Sequence, residues 1–132
     1  MSDAIDISST PIHLGDADTA IVLRDFTFDG ESFMSYVDEH TSDNAPGRLM
    51  MIETSPADWP TWECHPQGAE IVHVLEGSGT FYQQVQEEEV AIPFQPGATL
   101  INPPGVWHTA DVTEPMRAIY ITPCPGTDHK PR

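Results

Sequence analysis

Two histidines and two carboxylates in this sequence have the side-chain chemistry and the spacing of a metal site. Glu63 and His65 are separated by one residue, so on an extended strand they share one face while Cys64 points to the other. Glu70 follows the turn sequence Pro-Gln-Gly, and a strand, a tight turn and a second strand would return it to the side of His65. Imidazole nitrogens and carboxylate oxygens bind divalent first-row metals. With His108 further along the chain, four candidate ligands are available.

Glycines and prolines stand at fixed distances from these candidate ligands. Gly77 follows Glu70 at the spacing of the first sequence motif of the cupin family. Gly97, the turn Pro103-Pro104-Gly105 and then His108 follow the spacing of the second cupin motif. The chain therefore resembles a small single-domain cupin, and the resemblance implies an all-β fold, a double-stranded jelly-roll barrel that holds a metal among inward-facing side chains.

The sequence departs from the usual cupin motifs at two positions. Glu63 stands where the family usually has its first histidine, and Val112 stands where it usually has asparagine. The ligand set implied by the resemblance is Glu63, His65, Glu70 and His108. Two alternatives remain open: Glu63 could be a carboxylate at the rim of a three-ligand site, or the barrel could bind small molecules without a metal. Without a cation, burial would raise the pKa values of both carboxylates.

The choice of ligands bears on the choice of metal. Two carboxylates and two neutral imidazoles bring a divalent ion close to charge neutrality, which makes it a weaker Lewis acid than a site of three histidines and one glutamate. Carboxylate in place of imidazole also makes the site harder. We therefore expect one divalent ion per chain, Fe(II) or Mn(II) first, with Zn(II) and Ni(II) as alternatives.

The resemblance also indicates which functions to consider. Cupins of this size include metalloenzymes that act on small organic molecules, and dioxygenase-like chemistry is favoured here over isomerase, lyase or hydrolase chemistry. The alternative is a non-catalytic module that senses or stores a small molecule or a metal. A fold alone does not select among these activities. The resemblance implies a homodimer.

Composition is consistent with one small domain built of strands. A length of 132 residues suits a single domain with its own core. Thirteen prolines argue against long helices and favour short strands separated by turns. Two cysteines provide no framework of disulfide bonds, which indicates a reducing cytoplasm.

Charge excludes one class of partner. The formal net charge of -16 would repel DNA or RNA. The sequence has no apolar run long enough for a membrane span, and its acidic start is unlike a secretory signal. We expect a soluble cytoplasmic protein that contacts neither nucleic acid nor membrane.

The pattern along the chain predicts an N-terminal arm over residues 1–20, a cupin barrel over 21–123 and a loose tail over 124–132. Residues 21–28 suggest a first strand region, and residues 30–40 have apolar side chains at helical spacing. Residues 41–47 have loop composition, and residues 113–115 suggest a hairpin turn between two strands.

Four further side chains on predicted strands could reach the cavity and act in proton transfer or in orienting a substrate. These catalytic candidates are Tyr82, Gln84, Arg117 and Tyr120.

The remaining histidines are predicted to lie away from the metal. His73 falls on the strand face opposite Glu70, and Cys64 alternates away from the ligands as a small buried side chain. Three histidines lie in polar segments and are predicted at the surface: His13, His40 and His129. Three tryptophans near the ligands are assigned to packing in preference to a substrate wall: Trp59, Trp62 and Trp107.

Overall fold

The computed structural model describes residues 3–15, 18–41 and 47–132, so most of the loop predicted over residues 41–47 lies outside the described residues. The described chain contains one helix and nine strands. In chain order they are β1 (Ile12–Leu14), β2 (Ala20–Val22), α1 (Gly30–Thr41), β3 (Arg48–Ser55), β4 (Thr61–Cys64), β5 (Glu70–Val85), β6 (Glu88–Phe94), β7 (Thr99–Asn102), β8 (His108–Thr122) and β9 (Asp128–Pro131).

All strand pairs are antiparallel, and the two long strands β5 and β8 hold the sheet together. Strand β8 pairs with β3, β4 and β5, while β5 also pairs with β6 and β7. The strand order along the main path is β2-β1-β3-β8-β4-β9. This arrangement confirms the predicted all-β barrel with one short helix.

Alternating side chains fill the interior of the barrel. On β5, Val72 and Val74 are fully buried beside Glu70 on the same face, as the alternation predicted. Opposite them on β8, Met116 and Ala118 are also fully buried. The interior is therefore apolar along most of its length and becomes polar at the end that carries Glu70.

A bulge bends the paired strands β5 and β8. Glu76 pairs with Arg117 and Ser78 with Glu114, so β8 advances by one more residue than β5 at this point. Gly77 adopts a positive φ of 93° within the bulge. The predicted hairpin turn at residues 113–115 is therefore wrong, because these residues lie within one continuous, bent strand.

Helix α1 packs part of its apolar face against the core of the barrel. The backbone N–H of Ser32 donates to the Asp29 carboxylate at 2.8 Å, which makes Asp29 the N-cap. Phe33 and Val37 pack against the core, while Met34 remains 69 % exposed. The helix predicted from residue 30 is confirmed, whereas Phe26 lies outside any strand and packs edge-on against Phe33.

Both ends of the described chain add strands to the sheet. Strand β1 of the predicted arm pairs with β2 and β3. Strand β9 pairs with β4 in the register Glu63 to His129, so the prediction of a loose tail is wrong. A polar strand is hard to recognise from composition alone, because its pairing partner lies far away in the sequence.

Within the described ranges, helix α1 is neither long enough nor apolar enough to cross a membrane.

Candidate metal centre

The four predicted ligands converge at one end of the barrel. Glu63 on β4 is the direct cross-strand neighbour of His108 at the start of β8. His65 follows β4 directly, and its carbonyl accepts a hydrogen bond from the Gly105 backbone N–H at 3.1 Å, which fixes it beside the turn before His108. The imidazole ring centroids of the two histidines are 5.1 Å apart. Glu70 joins them from the first position of β5.

Glu70 lies closest to both histidines. Its Oε2 is 3.3 Å from Nε2 of His65, and its Oε1 is 3.2 Å from Nε2 of His108. Donor atoms that share a first-row ion at about 2.1 Å lie about 3.0 to 3.4 Å apart when their bonds to it meet at right or tetrahedral angles. Each of these two oxygen–nitrogen distances falls within that range, and each involves a different oxygen of Glu70.

Glu63 lies slightly further out. Its Oε2 is 3.9 Å from Nε2 of His65 and 3.8 Å from Nε2 of His108. Potential ligand atoms of Glu63, His65 and His108 all lie within 4.8 Å of one another. The Glu63 side chain is 30 % exposed, compared with 3 % for Glu70. Glu63 thus stands at the rim of the site and Glu70 at its base.

Hydrogen bonds on the far side of each imidazole determine its tautomer. The Thr127 hydroxyl donates to the Cys124 carbonyl, so its oxygen accepts from Nδ1–H of His65 at 2.9 Å. Nδ1 of His108 lies 3.3 Å from the Val106 carbonyl, which can only accept. In the neutral form, both histidines therefore present an Nε2 lone pair to the site. Both Nε2 atoms are buried and make no hydrogen bond of regular geometry to any described residue.

A chain of polar side chains holds Glu70 in place. The Asn102 amide donates to Oε1 of Glu70 at 3.0 Å, and the Thr122 hydroxyl donates to Oε2 at 2.6 Å. Gln83 in turn donates to Oδ1 of Asn102 at 2.9 Å. Each oxygen of Glu70 thus keeps one partner in the barrel wall while it faces a histidine. Such outer contacts fix the orientation of a metal ligand.

The electrostatics of the site favour a cation. Burial disfavours charge on Glu70, but its contacts with His108 and His65 outweigh that cost and hold its pKa well below the usual range. Burial disfavours the imidazolium of His108, yet the carboxylates of Glu63 and Glu70 raise its pKa to about 9. A proton on His108 therefore balances the carboxylates, and a metal ion would have to displace that proton. Two buried nitrogen lone pairs facing two carboxylates fit a divalent first-row ion.

The site opens into a cavity of about 650 Å³. Strand β3 contributes Met51 and Glu53 to the wall, and helix α1 contributes Phe33 and Val37. The aromatic lining also includes Trp59, whose ring centroid is 6.3 Å from that of His108. A cavity of this size holds a small organic molecule next to the ligands.

Only one of the four predicted catalytic side chains lies in this cavity. Tyr120 lines it and is buried. Tyr82 lines a separate cavity of about 370 Å³ on the barrel exterior. Gln84 accepts a hydrogen bond from Nζ of Lys130 at 2.8 Å, and Arg117 pairs across strands with Thr54 on the outer face. Tyr82, Gln84 and Arg117 thus do not line the cavity beside the candidate ligands.

The other histidines are placed less uniformly than the sequence suggested. His73 lies outside the barrel as predicted, where its Nδ1 is 2.8 Å from the Thr99 hydroxyl. The surface prediction is wrong for His13 and His40, whose buried rings stack with centroids 3.8 Å apart. His129 is half exposed, but its Nε2 is 3.1 Å from Oε1 of Glu63, which places it at the rim of the site.

Two residues of the predicted tail reach the site, although the sequence pattern predicted His129 at the surface and indicated no role for Thr127. Thr127 orients His65, and His129 contacts Glu63. They are separated by one residue, as Glu63 and His65 are, and both Thr127, directly before β9, and His129 within it line the cavity. This spacing was the signal available in the sequence.

The three tryptophans near the ligands are placed differently. Trp59 lines the cavity wall, whereas Trp62 and Trp107 lie near the Lys130 ammonium on the outer face.

Replacement of Thr127 by valine should weaken metal binding about tenfold, because His65 would lose the partner that fixes its tautomer and ring orientation. Metal affinity measured by competition with a chelator would detect the change. Thr99→Val is the matched control, because it removes the same type of threonine contact from His73 outside the site. Equal affinities for Thr127→Val and Thr99→Val would contradict this role of Thr127.

Comparison with known proteins identifies the family. The family model described as "Cupin domain" matches residues 49–122, which is more than half of the chain. This protein belongs to the cupin family. No curated protein matches the sequence.

Several solved structures share the fold at low identity. The hydroxypropylphosphonic acid epoxidase from S. wedmorenis, in complex with fosfomycin, is 19 % identical with a TM-score of 0.50, over 58 % of this chain and 44 % of that one. Co(II) HppE in complex with substrate is 20 % identical with a TM-score of 0.50, over 58 % of this chain and 45 % of that one. Streptomyces albus HEPD, with Fe(II) and 2-hydroxyethylphosphonate bound, is 13 % identical with a TM-score of 0.51, over 57 % and 17 %. This chain therefore spans less than half the length of these proteins.

Proposed function

We propose that this cupin is a metal-dependent enzyme that acts on a small organic molecule, with Fe(II) or Mn(II) as its ion and dioxygenase-like chemistry as its reaction. The observation that carries this proposal is the pair of buried Nε2 atoms of His65 and His108, which lie 3.3 Å and 3.2 Å from the two different carboxylate oxygens of Glu70. Structural neighbours that bind Fe(II) or Co(II) together with small substrates support the proposal at the level of the fold.

His65, His108 and Glu70 would hold the ion as two imidazoles and one carboxylate, an arrangement typical of oxygen-activating iron enzymes. Glu63, from the rim, would be the fourth ligand. The bound ion would supply Lewis acidity and open coordination positions for substrate or O2. Zn(II) and Ni(II) remain alternatives, because imidazole and carboxylate also suit them.

The side chains of the cavity would position the substrate and limit the access of water. Trp59 and Phe33 provide apolar wall in the cavity. Burial raises the pKa of Tyr120 and outweighs the lowering by its hydrogen bond with Ser55, and the nearby Glu70 and Glu53 charges raise it further, so the phenol keeps its proton at neutral pH. Tyr120 would therefore act as a hydrogen-bond donor that orients the substrate.

Nitric oxide, which binds Fe(II) at positions that O2 would occupy, tests the proposed oxygen chemistry. Protein loaded with Fe(II) without air should form an EPR-active iron–nitrosyl species in proportion to its iron content. Protein loaded with Zn(II) is the control and should form none. Iron-loaded protein that gives no nitrosyl signal would contradict dioxygenase-like chemistry and leave the non-catalytic alternative.

We also propose a homodimer. Four apolar residues lie in register across the outer face of β3, β8, β5 and β7: Met50, Ile121, Ile71 and Ile101. Ile101 is 59 % exposed, and a continuous apolar row on a sheet face favours contact with another protein surface. Light scattering should return twice the chain mass, and a monomer mass would contradict the proposal.

A further inference from the structure

The charged side chains around the cavity are unbalanced in sign. Besides the two candidate ligand carboxylates, Glu53 from β3 and Asp38 from α1 line the cavity. All five basic residues of the chain lie elsewhere. Arg24 is exposed after β2, Arg48 donates to the Ala69 carbonyl, Arg117 lies on the outer face, Lys130 donates to Gln84, and Arg132 pairs with Asp111.

Glu53 is the most informative of these carboxylates. It follows Leu49 and Met51 on the inward face of β3, and its cross-strand neighbour is Ala118, which offers no side-chain partner. Its carboxylate makes no hydrogen bond or ion pair with any residue in the described ranges. Burial raises the pKa of Glu53, and the charges of Glu63 and Glu70 raise it further. A carboxylate turned inward is costly unless a cation or a donor meets it, so Glu53 is not an ordinary solvated acid of an acidic protein.

Aromatic side chains share the cavity with Glu53. Trp59 and Tyr120 line it with ring centroids 6.4 Å apart, and Phe33 lines it from α1. Aromatic faces attract ammonium groups through cation–π interactions. A carboxylate beside aromatic walls is a chemical environment that recognises organic cations and gives no counter-charge to anions.

The ion at the metal centre would not reverse the preference of the cavity for cations over anions. A divalent ion bound by two carboxylates and two neutral imidazoles leaves that site near neutral, so it adds no positive charge to offset Glu53 and Asp38 at the cavity wall. Streptomyces albus HEPD, by comparison, was solved with 2-hydroxyethylphosphonate, which is an anion. No lysine or arginine of this chain is placed in the cavity to bind such a group.

We propose that the cavity binds a small organic cation, an amine or quaternary ammonium compound, with its charge beside Glu53 and its apolar part along Trp59 and Phe33. This inference rests on the proposed function, because the cation would be the substrate of the metal-dependent reaction.

Choline and 3,3-dimethyl-1-butanol test this proposal, because they have nearly the same shape and differ in the charge of the quaternary centre. That centre carries no lone pair, so it cannot ligate a metal. Calorimetric titration of the Zn(II)-loaded protein should show that choline binds about tenfold more tightly than the alcohol. Glu53→Gln should remove this preference while retaining the shape of the cavity. Glu76→Gln, at an exposed position of β5, is the matched control and should preserve it.

Three results would overturn the proposal: equal or tighter binding of the alcohol, no binding of choline at millimolar concentration, or an unchanged preference in Glu53→Gln. Thermal melting of each variant would establish that it is folded. Elemental analysis of the same samples separates this inference from the proposed function. Protein that holds zinc but lacks the preference contradicts the inference alone, whereas protein that prefers choline but retains no metal contradicts the metalloenzyme proposal alone.

Discussion

Replacement of His108 by alanine should abolish tight metal binding, with a loss of more than about a hundredfold in affinity. His108 is fully buried, its Nε2 lies 3.2 Å from Oε1 of Glu70, and it is cross-strand to Glu63. Its removal would take away one of the two nitrogen ligands and leave a cavity in its place. Metal affinity measured by chelator competition would report the loss.

His73→Ala is the matched control for this variant. His73 lies on β5 but faces outward to Thr99, so its removal should leave metal affinity unchanged. Circular dichroism would establish that both variants retain the fold. Tight binding by His108→Ala would contradict the ligand assignment.

Glu63 should contribute less to metal binding than His108. It lies 3.8 to 3.9 Å from the two Nε2 atoms and is 30 % exposed, so Glu63→Gln should weaken binding by less than His108→Ala does. Glu63→His should restore the more common cupin site of three histidines and one glutamate. Full affinity and activity in Glu63→Gln would show that Glu63 is not a ligand.

The bulge between β5 and β8 should depend strongly on Gly77. A Cβ atom at this position would lie 2.2 Å from the Pro115 carbonyl oxygen, and the positive φ of 93° already disfavours side chains. Gly77→Ala should therefore lower the free energy of unfolding by about 3 kcal/mol or more. Denaturant unfolding would measure the change.

Gly97→Ala separates the two causes of that loss. Gly97 has the same φ of 93°, but a Cβ there would meet no atom within 4 Å. We expect a loss of about 1 kcal/mol from backbone conformation alone. If Gly77→Ala costs no more than Gly97→Ala, the close approach of Pro115 does not constrain the bulge.

The parts of the site that sequence could predict are those determined by local geometry. Alternation on β4 places Glu63 and His65 on one face, and the short turn before β5 returns Glu70 to them. The position of His108 is not local. It was predicted because a family motif carries long-range information that periodicity lacks.

The parts that sequence missed depend on pairing between distant segments. Strand β9 is polar, so its role appears only when it pairs with β4 and brings Thr127 and His129 to the cavity. The same limit applies to His13, which lies in a polar segment but is buried by Tyr36 and the stacked ring of His40. Bulged strands pose a related difficulty, since glycine and proline in β5 and β8 resemble turn signals but mark a bend in continuous strands.

Metal content tests the central claim most directly. Protein purified without added metal, then loaded with Fe(II), Mn(II) or Zn(II) and freed of excess ion, should contain about one divalent ion per chain by elemental analysis. The His108→Ala variant should lose that ion under the same treatment. A content below about one-tenth of an ion per chain, with no gain after loading, would contradict a metal centre built from His65, Glu70, His108 and Glu63.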